Sequence, residues 1–270
     1  MKHLLIVGFG DIARRATAPL ERGFTLLPLS RRHGMDLDRP GTLALPNVDA
    51  VLHLAPPPPS GERDTRTAHL LAALEITGRR PERVVYVSTS GVYGDCGGAR
   101  VDETRPPAPQ TARAKRRLDA ERQLSGWCTA HSCALVILRA PGIYAADRLP
   151  LERLRAPVLR AEEDVYTNHI HADDLAAIVV RALEPDAPPG IYNACDDSEI
   201  KMGDWFDLVA QRFGLERPAR LSRTQLDKAS SFMNESRRLD NRRMKSLLGI
   251  ELRYPTVHEG LRNEHAVGID

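Results

Sequence analysis

Residues 8–13, Gly-Phe-Gly-Asp-Ile-Ala, are the stretch best suited to holding an anion. Two glycines one residue apart let the backbone approach a pyrophosphate, whose charge then sits at the positive end of the helix that follows. Leu4 to Val7 form a short apolar, partly β-branched run, the mark of a strand buried on both faces. Ile12, Ala13 and Ala16 keep helical spacing. Strand, glycine turn and helix in that order are the context a G-x-G-x-x-A requires. The motif predicts a dinucleotide site, with Gly8, Gly10, Asp11 and Ile12 at the phosphates. Ser30-Arg31-Arg32 follows the next strand. A free ribose 2′-hydroxyl calls for a carboxylate there, whereas a 2′-phosphate calls for arginine, whose planar fork suits it. No carboxylate stands at that place, so NADP is expected before NAD. The alternative is that Arg31 and Arg32 are a solvated loop pair.

The elements that must position these residues read as alternating strands and helices, the pattern of a parallel sheet wrapped by helices. Strands are expected at Phe24–Leu29, Val48–Leu54, Val84–Ser88, Ala134–Arg139 and Ile191–Ala194. Residues 30–47 are too few for a helix, a strand and a second helix, so a shortened edge is expected, with at most a vestigial strand near His33–Leu37. Pro56 to Pro59 form a rigid segment leaving the sheet. Helices are expected at 66–77, 111–125, His171–Leu183, 202–213 (closed by Gly214) and 240–248 (closed by Gly249). Residues 95–110 read as loop, and the stretch past Arg139 is too rich in proline and charge for regular structure. The fold class is α/β, a Rossmann-type doubly wound parallel sheet with a small C-terminal substrate lobe. Residues 1–150, with 165–195 returning, make the dinucleotide-binding domain, and 140–165 with 196–270 make the smaller lobe.

The chain has 270 residues, 42% of them hydrophobic and 27% charged, ample for a core and ordinary for a water-soluble protein. A net charge of +2 argues neither for nor against nucleic acid, so any basic patch must be local. Cys96, Cys128, Cys133 and Cys195 lack the spacing of a metal site and read as reduced thiols. Cys128, His131 and Cys133 fall short of a tetrahedral zinc set, and no metal is expected. There is no apolar run near the ~18 residues of a membrane span and no signal peptide, so a cytoplasmic protein is expected.

Six separated segments resemble the extended or atypical short-chain dehydrogenases, the NAD-dependent epimerase/dehydratase family. They are LIVGFGDIA at 5–13, VLHLAPPP at 51–58, VVYVSTSGVYGD at 84–95, LRAPGIY at 138–144, NHIHADDLA at 168–176 and IYNACDD at 191–197. The resemblance implies an active site in the cleft between the two lobes and hydride transfer to and from a bound nicotinamide, mainly on nucleotide-linked sugars. It places Leu54, Ala55, Pro56 and Pro141 beside the cofactor, and Asp36 and Leu37 near adenine. In the family a Ser or Thr acts with a Tyr-x-x-x-Lys pair, whose lysine lowers the tyrosine pKa from ~10 so that the phenol can exchange a proton. Thr89 matches the hydroxyl, with Ser90 its neighbour, and Lys115 matches the lysine, which also holds the nicotinamide ribose.

Four residues before Lys115 stands Thr111, not tyrosine, and an aliphatic hydroxyl is far too weak an acid to replace a phenol. Two readings follow. In one, another acid takes over: Tyr93, Tyr144, or a carboxyl from Asp102-Glu103. Tyr144, Arg148 and Arg153 then face a small polar or nucleotide-sugar-like substrate, with Ser90. In the other, the protein binds NAD(P) without turning it over, as a redox sensor or regulatory partner. His169 and His171 alternate as in a metal site, but they occupy the family's Ile-His-x-x-Asp segment and read as structural, with Asp173 and Asp174 as helix N-terminal charges. The helix over 113–123 reads as a solvated face. The surplus at Arg237, Arg238, Arg242, Arg243 and Lys245 either receives a substrate phosphate or is a solvated face. No stacking aromatics accompany these arginines, so no nucleic-acid partner is expected. Helices 66–77 and 111–125 are where the family forms a homodimer.

Overall fold

The computed structural model describes residues 1–78, 80–226 and 235–263. The chain opens with β1 (Lys2–Val7), α1 (Asp11–Leu20), β2 (Phe24–Leu29), β3 (Ala50–His53), α2 (Thr65–Ile76) and β4 (Arg83–Thr89). It continues through β5 (Arg100–Val101), α3 (Ala112–Ala130), β6 (Ala134–Ala140), β7 (Gly142–Tyr144), β8 (Val158–Leu159), β9 (Tyr166–Thr167) and β10 (His169–His171). Then come α4 (Ala172–Leu183), β11 (Gly190–Asn193), β12 (Ile200–Lys201), α5 (Met202–Phe213), β13 (Arg220–Leu221), β14 (Arg238–Leu239), α6 (Arg242–Leu248) and α7 (Val257–Asn263).

The main sheet runs β11-β6-β4-β3-β1-β2 and is parallel throughout. Val7 pairs with both Leu29 and His53, so β1 and its two neighbours end level with one another. Alternate residues serve opposite faces, as strand geometry requires. Leu4, Ile6, Leu52, Val85 and Leu138 pack under α1 and α4 on one side. Leu5, Val7, Val51, Val84 and Ile137 pack under α2 and α3 on the other. Both faces are covered, which is why the strands are apolar runs and not alternating ones. The chain leaves β1 on one face and β3 on the other, so the sheet's crevice opens beyond Val7 and His53.

No strand forms at His33–Leu37. Arg31–His33 make one 3-10 turn, closed by Gly34 at φ +76°, and Pro40–Thr42 another. Leu37 buries its side chain in the α2 face, and its carbonyl accepts a hydrogen bond from His69 Nδ1 at 2.6 Å. The segment is pinned through side chains and leaves β2 as the sheet edge. Past Arg139 the chain is more regular than its composition suggests, because β7 pairs in parallel with β10.

A separate apolar cluster gathers Tyr144, Leu154, Val158, Trp205, Phe206 and Val257, and α5 and α7 cover it. Met244 and Leu248 on α6 return to the α1–α4 face of the sheet. Asp174, expected as a helix N-terminal charge, is buried and accepts from the backbone N–H groups of Arg253 and Tyr254, at 2.8 and 2.9 Å. It therefore ties the C-terminal segment to α4.

Candidate active site

The phosphate cradle is built by close approach. Gly8 stands at φ +90°, and a Cβ there would lie 2.6 Å from the Ala55 amide nitrogen. Only glycine fits, both sterically and in backbone conformation. Leu54 N–H donates to Val7 O at 2.8 Å and Gly8 N–H to Leu29 O at 3.1 Å, so the turn is fixed to both neighbouring strands. At Gly10 a Cβ would meet nothing within 4 Å. Open space at the N-terminus of α1, beside a turn that admits no side chain, fits a bound pyrophosphate. Ile12 is buried in the core, so only its backbone can serve the cradle. Leu54, Ala55 and exposed Pro56 continue from β3 at the same crevice, and Ser30, Arg31 and Arg32 follow β2, with both arginines exposed.

Asp11 spends its carboxylate on protein partners, Arg15 Nε at 3.1 Å and Arg148 Nη1 at 2.8 Å. Partial burial alone would raise its pKa, but the hydrogen bonds and charges of Arg148 and Arg15 hold it below the usual carboxylate range. Arg15 also reaches Asp147 and Asp173. Arg148 thus ties the loop after β7 to the first turn of α1.

A cleft of about 640 Å³ lies between the sheet and the α5 cluster, and Arg148, which lines it, reaches Asp11 beside the cradle. The structure brings Thr89, Ser90, Pro141, Tyr144, Arg148 and Arg153 together along it. Thr89 Oγ1 accepts from Gly91 N–H at 3.2 Å, which turns the chain at the end of β4 and keeps its side chain at the cleft. Ser90 is buried beside it.

Of the other predicted catalytic groups, Lys115 and Tyr93 lie outside the cleft, while Thr111 and Tyr144 line it with their hydroxyls engaged by protein partners. Lys115 does not line the cleft; its Nζ pairs with Glu62 at 2.6 Å on the exposed side of α3. Thr111 is the N-cap of α3 and accepts from Ala114 N–H at 3.2 Å, so its hydroxyl serves the helix. Tyr93 is buried, with its hydroxyl 2.9 Å from Asn193 Oδ1 and its ring under the Arg139 guanidinium. Burial raises its pKa against the pull of Arg139, the opposite of what a proton donor near neutral pH needs. Tyr144 offers its ring to the cleft wall, but its hydroxyl is directed to α7: it donates to Thr256 O at 3.4 Å and would meet a Cβ at Gly260. Glu103 is held by Asn193 N–H at 2.7 Å, and Asp102 by Thr104.

A second pair four residues apart on α3 is Arg113 and Arg117. Arg113 lines the cleft. Arg117 is buried one turn on and donates to Tyr86 Oη and Val87 O, both at 3.0 Å. The expected solvated face over 113–123 is therefore not what forms: Arg116, Arg117 and Glu121 are buried. The signal was present in the spacing 113, 117, 121, which lies on one helix face.

The two histidines differ in role. His171 caps α4, its Nδ1 accepting from Asp173 N–H at 3.1 Å, and stacks on Tyr254. His169 lines the cleft against Trp205, and burial lowers its pKa to about 3, so it is neutral. The basic surplus near the C-terminus divides, with Arg242 and Arg243 exposed on α6 as a solvated face would be and Arg237 turned inward. Arg237 lines the cleft and donates to Gly94 O at 2.6 Å, Arg242 pairs with Asp240, and Lys245 pairs with Asp197. The described lining residues carry four arginines, Arg113, Arg148, Arg153 and Arg237, against the single carboxylate Glu235. A cleft of this charge attracts anions.

The NAD dependent epimerase/dehydratase family model matches residues 42–195, and the chain belongs to that family. Protein YeeZ of Escherichia coli K12 is 28% identical over 217 residues, 78% of this chain and 74% of that protein. Among solved structures, RMD from Pseudomonas aeruginosa complexed with NADPH is 21% identical with a TM-score of 0.75, covering 97% of each chain. MoeE5 in complex with UDP-glucuronic acid and NAD is 22% identical with a TM-score of 0.76, also over 97% of each chain. These likenesses show the fold. Among the described residues no helix is long and apolar enough to cross a membrane.

Proposed function

We propose that the protein binds NADP(H) and uses it in an oxidoreductase or isomerase reaction on a small polar or nucleotide-sugar-like substrate. The observation that carries this reading is the arrangement of the site: the Gly8–Ala55 approach and the open space at Gly10 form the cradle, and Arg148 joins Asp11 in its first helical turn to a cleft lined by Thr89 and further arginines. Gly8, Gly10 and the first turn of α1 would hold the pyrophosphate, and Arg31 and Arg32 the 2′-phosphate. Neighbours of this fold carry NADPH in one case and NAD in another, and the two arginines favour NADPH. When bound, the nicotinamide supplies or accepts a hydride. Thr89 would hydrogen-bond the reacting oxygen, with Ser90 and Arg153 beside the substrate.

A second reading, a non-catalytic NAD(P)-binding sensor, draws on one observation. Among the described residues the hydroxyls of Tyr93 and Tyr144 and the ammonium of Lys115 are all held away from the cleft. The test is a single-turnover assay: protein loaded with NADP⁺ or NADPH is mixed with nucleotide sugars and small hydroxy- and oxo-compounds, and the absorbance of the reduced nicotinamide is followed. A stoichiometric change with any of them supports the enzyme. Tight cofactor binding with no change across the panel supports the sensor.

A further inference from the structure

Arg113 stands apart from the other arginines of the cleft. Arg148 is paired with Asp11, and Arg237 with Glu235. Among the described residues no carboxylate or carbonyl accepts from the Arg113 guanidinium, although Arg113 lines the same cleft as Thr89 and its neighbour Ala114 packs near Thr89: a Cβ at Gly91 would lie 3.5 Å from Thr89 Oγ1 and 3.6 Å from Ala114 Cβ. Partial burial, and after it the like charges of Arg117, Arg116 and Arg153, lower its pKa from the ordinary arginine value. Arg117 and Arg116 cannot turn away, because they are buried and hold backbone carbonyls of Val87 and Gly61.

The free protein bears this repulsion because Arg113 is still exposed to water. A substrate that fills the cleft displaces that water. A guanidinium buried without a counter-charge is strongly disfavoured, so a neutral group would be rejected there. An oxyanion would be accepted, since the five donors of arginine match carboxylate and phosphate oxygens in bidentate geometry. Thr89 adds one hydroxyl, whose proton has no acceptor among the described residues.

We propose that Arg113, with Thr89, forms an oxyanion-binding subsite, so that the substrate carries a carboxylate or phosphate group at the end that lies against Thr89. This rests on the cofactor reading above and narrows its substrate class. Charge is not recognised only at the far end of the molecule, as a nucleotide handle alone would require; an anionic group stands next to the reacting oxygen that Thr89 holds.

The test is calorimetric titration of the protein saturated with NADP⁺, which keeps the pyrophosphate cradle filled. Inorganic phosphate and oxalate are the two probes. Wild type is expected to bind at least one, and the preferred probe tells a phosphate substrate from a carboxylate. Arg113→Gln, at an exposed position where folding is not at risk, is expected to weaken that binding at least tenfold, and Arg113→Lys by less. Arg122→Gln, exposed farther along the same helix, controls for a general loss of charge. Equal affinity in wild type and Arg113→Gln would overturn the proposal, as would loss of affinity as large in Arg122→Gln. Failure of both probes to bind protein that takes up NADP⁺ would overturn it too, while leaving the cofactor reading intact. Failure of NADP⁺ itself to bind would remove both.

Discussion

Arg139 on β6 donates to Glu121 on α3 at 2.7 Å through Nη2 and at 3.2 Å through Nε, with the two side chains 2% and 4% exposed. Ser88 on β4 donates to the same carboxylate. Three elements behind the Thr89 end of the cleft are thus joined by one buried ion pair. Removing one partner leaves an uncompensated charge, and the expected cost is about 3–5 kcal/mol. Arg139→Met should lower stability by that amount in denaturant titration. A change under about 1 kcal/mol would mean that the pair does not hold α3 to the sheet.

Gly8→Ala should cripple the cradle more than the fold. The new Cβ meets the Ala55 backbone at a positive φ, which costs more than about 1 kcal/mol in strain. Separation of Gly8 from Ala55 widens the turn that must hold a pyrophosphate. The expected result is a protein that still melts cooperatively and has lost NADPH affinity.

Arg31→Ala combined with Arg32→Ala should weaken NADPH and leave NADH nearly unchanged. Charge-assisted hydrogen bonds to a phosphate are worth about 1.5–3 kcal/mol, so the ratio of the two dissociation constants should move by tenfold or more. An unchanged ratio would return the two arginines to a solvated loop.

Tyr93→Phe and Tyr144→Phe are expected to keep any measured turnover, because both hydroxyls point away from the cleft. Tyr93→Phe should still destabilise the fold by about 1–3 kcal/mol, since it strands the buried Asn193 Oδ1. Lost turnover in a well-folded Tyr144→Phe protein would contradict the orientation described here.

Asp196 should make stability fall with rising pH. It is buried beside Asp197 and Asp174, its Oδ1 accepts from Ser198 N–H, and its Oδ2 has no partner among the described residues. Burial raises its pKa to about 8. The folded pKa lies above the unfolded one, so the folded state binds the extra proton. Its contribution is complete below about pH 4 and is lost as pH rises towards 8, by up to about 1.4 kcal/mol per unit. Asp196→Asn should flatten that decline in melts taken between pH 5 and pH 8; an unaltered decline would rule Asp196 out as its source.

Much of the fold was legible in the sequence because a parallel sheet buries both faces. Leu4–Val7, Phe24–Leu29 and Ala134–Arg139 appear as apolar runs whatever lies around them. The glycine cradle was legible for a similar reason, since its requirement is local. The cleft-facing side of α3 was not. Thr111–Lys115 and Arg113–Arg117 are equally good pairs four residues apart; Thr111 and Arg113 both reach the cleft, and only the packing of the helix sends Lys115 to Glu62 and buries Arg117. The partners that bury Arg117, Glu121 and Tyr93 are Val87, Arg139 and Asn193, which neighbouring residues do not announce. Residues 30–47 were rightly read as too short for a full unit, but Leu37 found its place by burial and not by strand pairing.

The most direct test of the central claim is calorimetric titration of the protein with NADPH and with NADH, alongside native mass spectrometry of the protein as purified. One site per chain with a clear preference for NADPH is the predicted result. Binding of neither cofactor, by protein that carries none from purification, would contradict the dinucleotide assignment of the Gly8–Ala55 crevice.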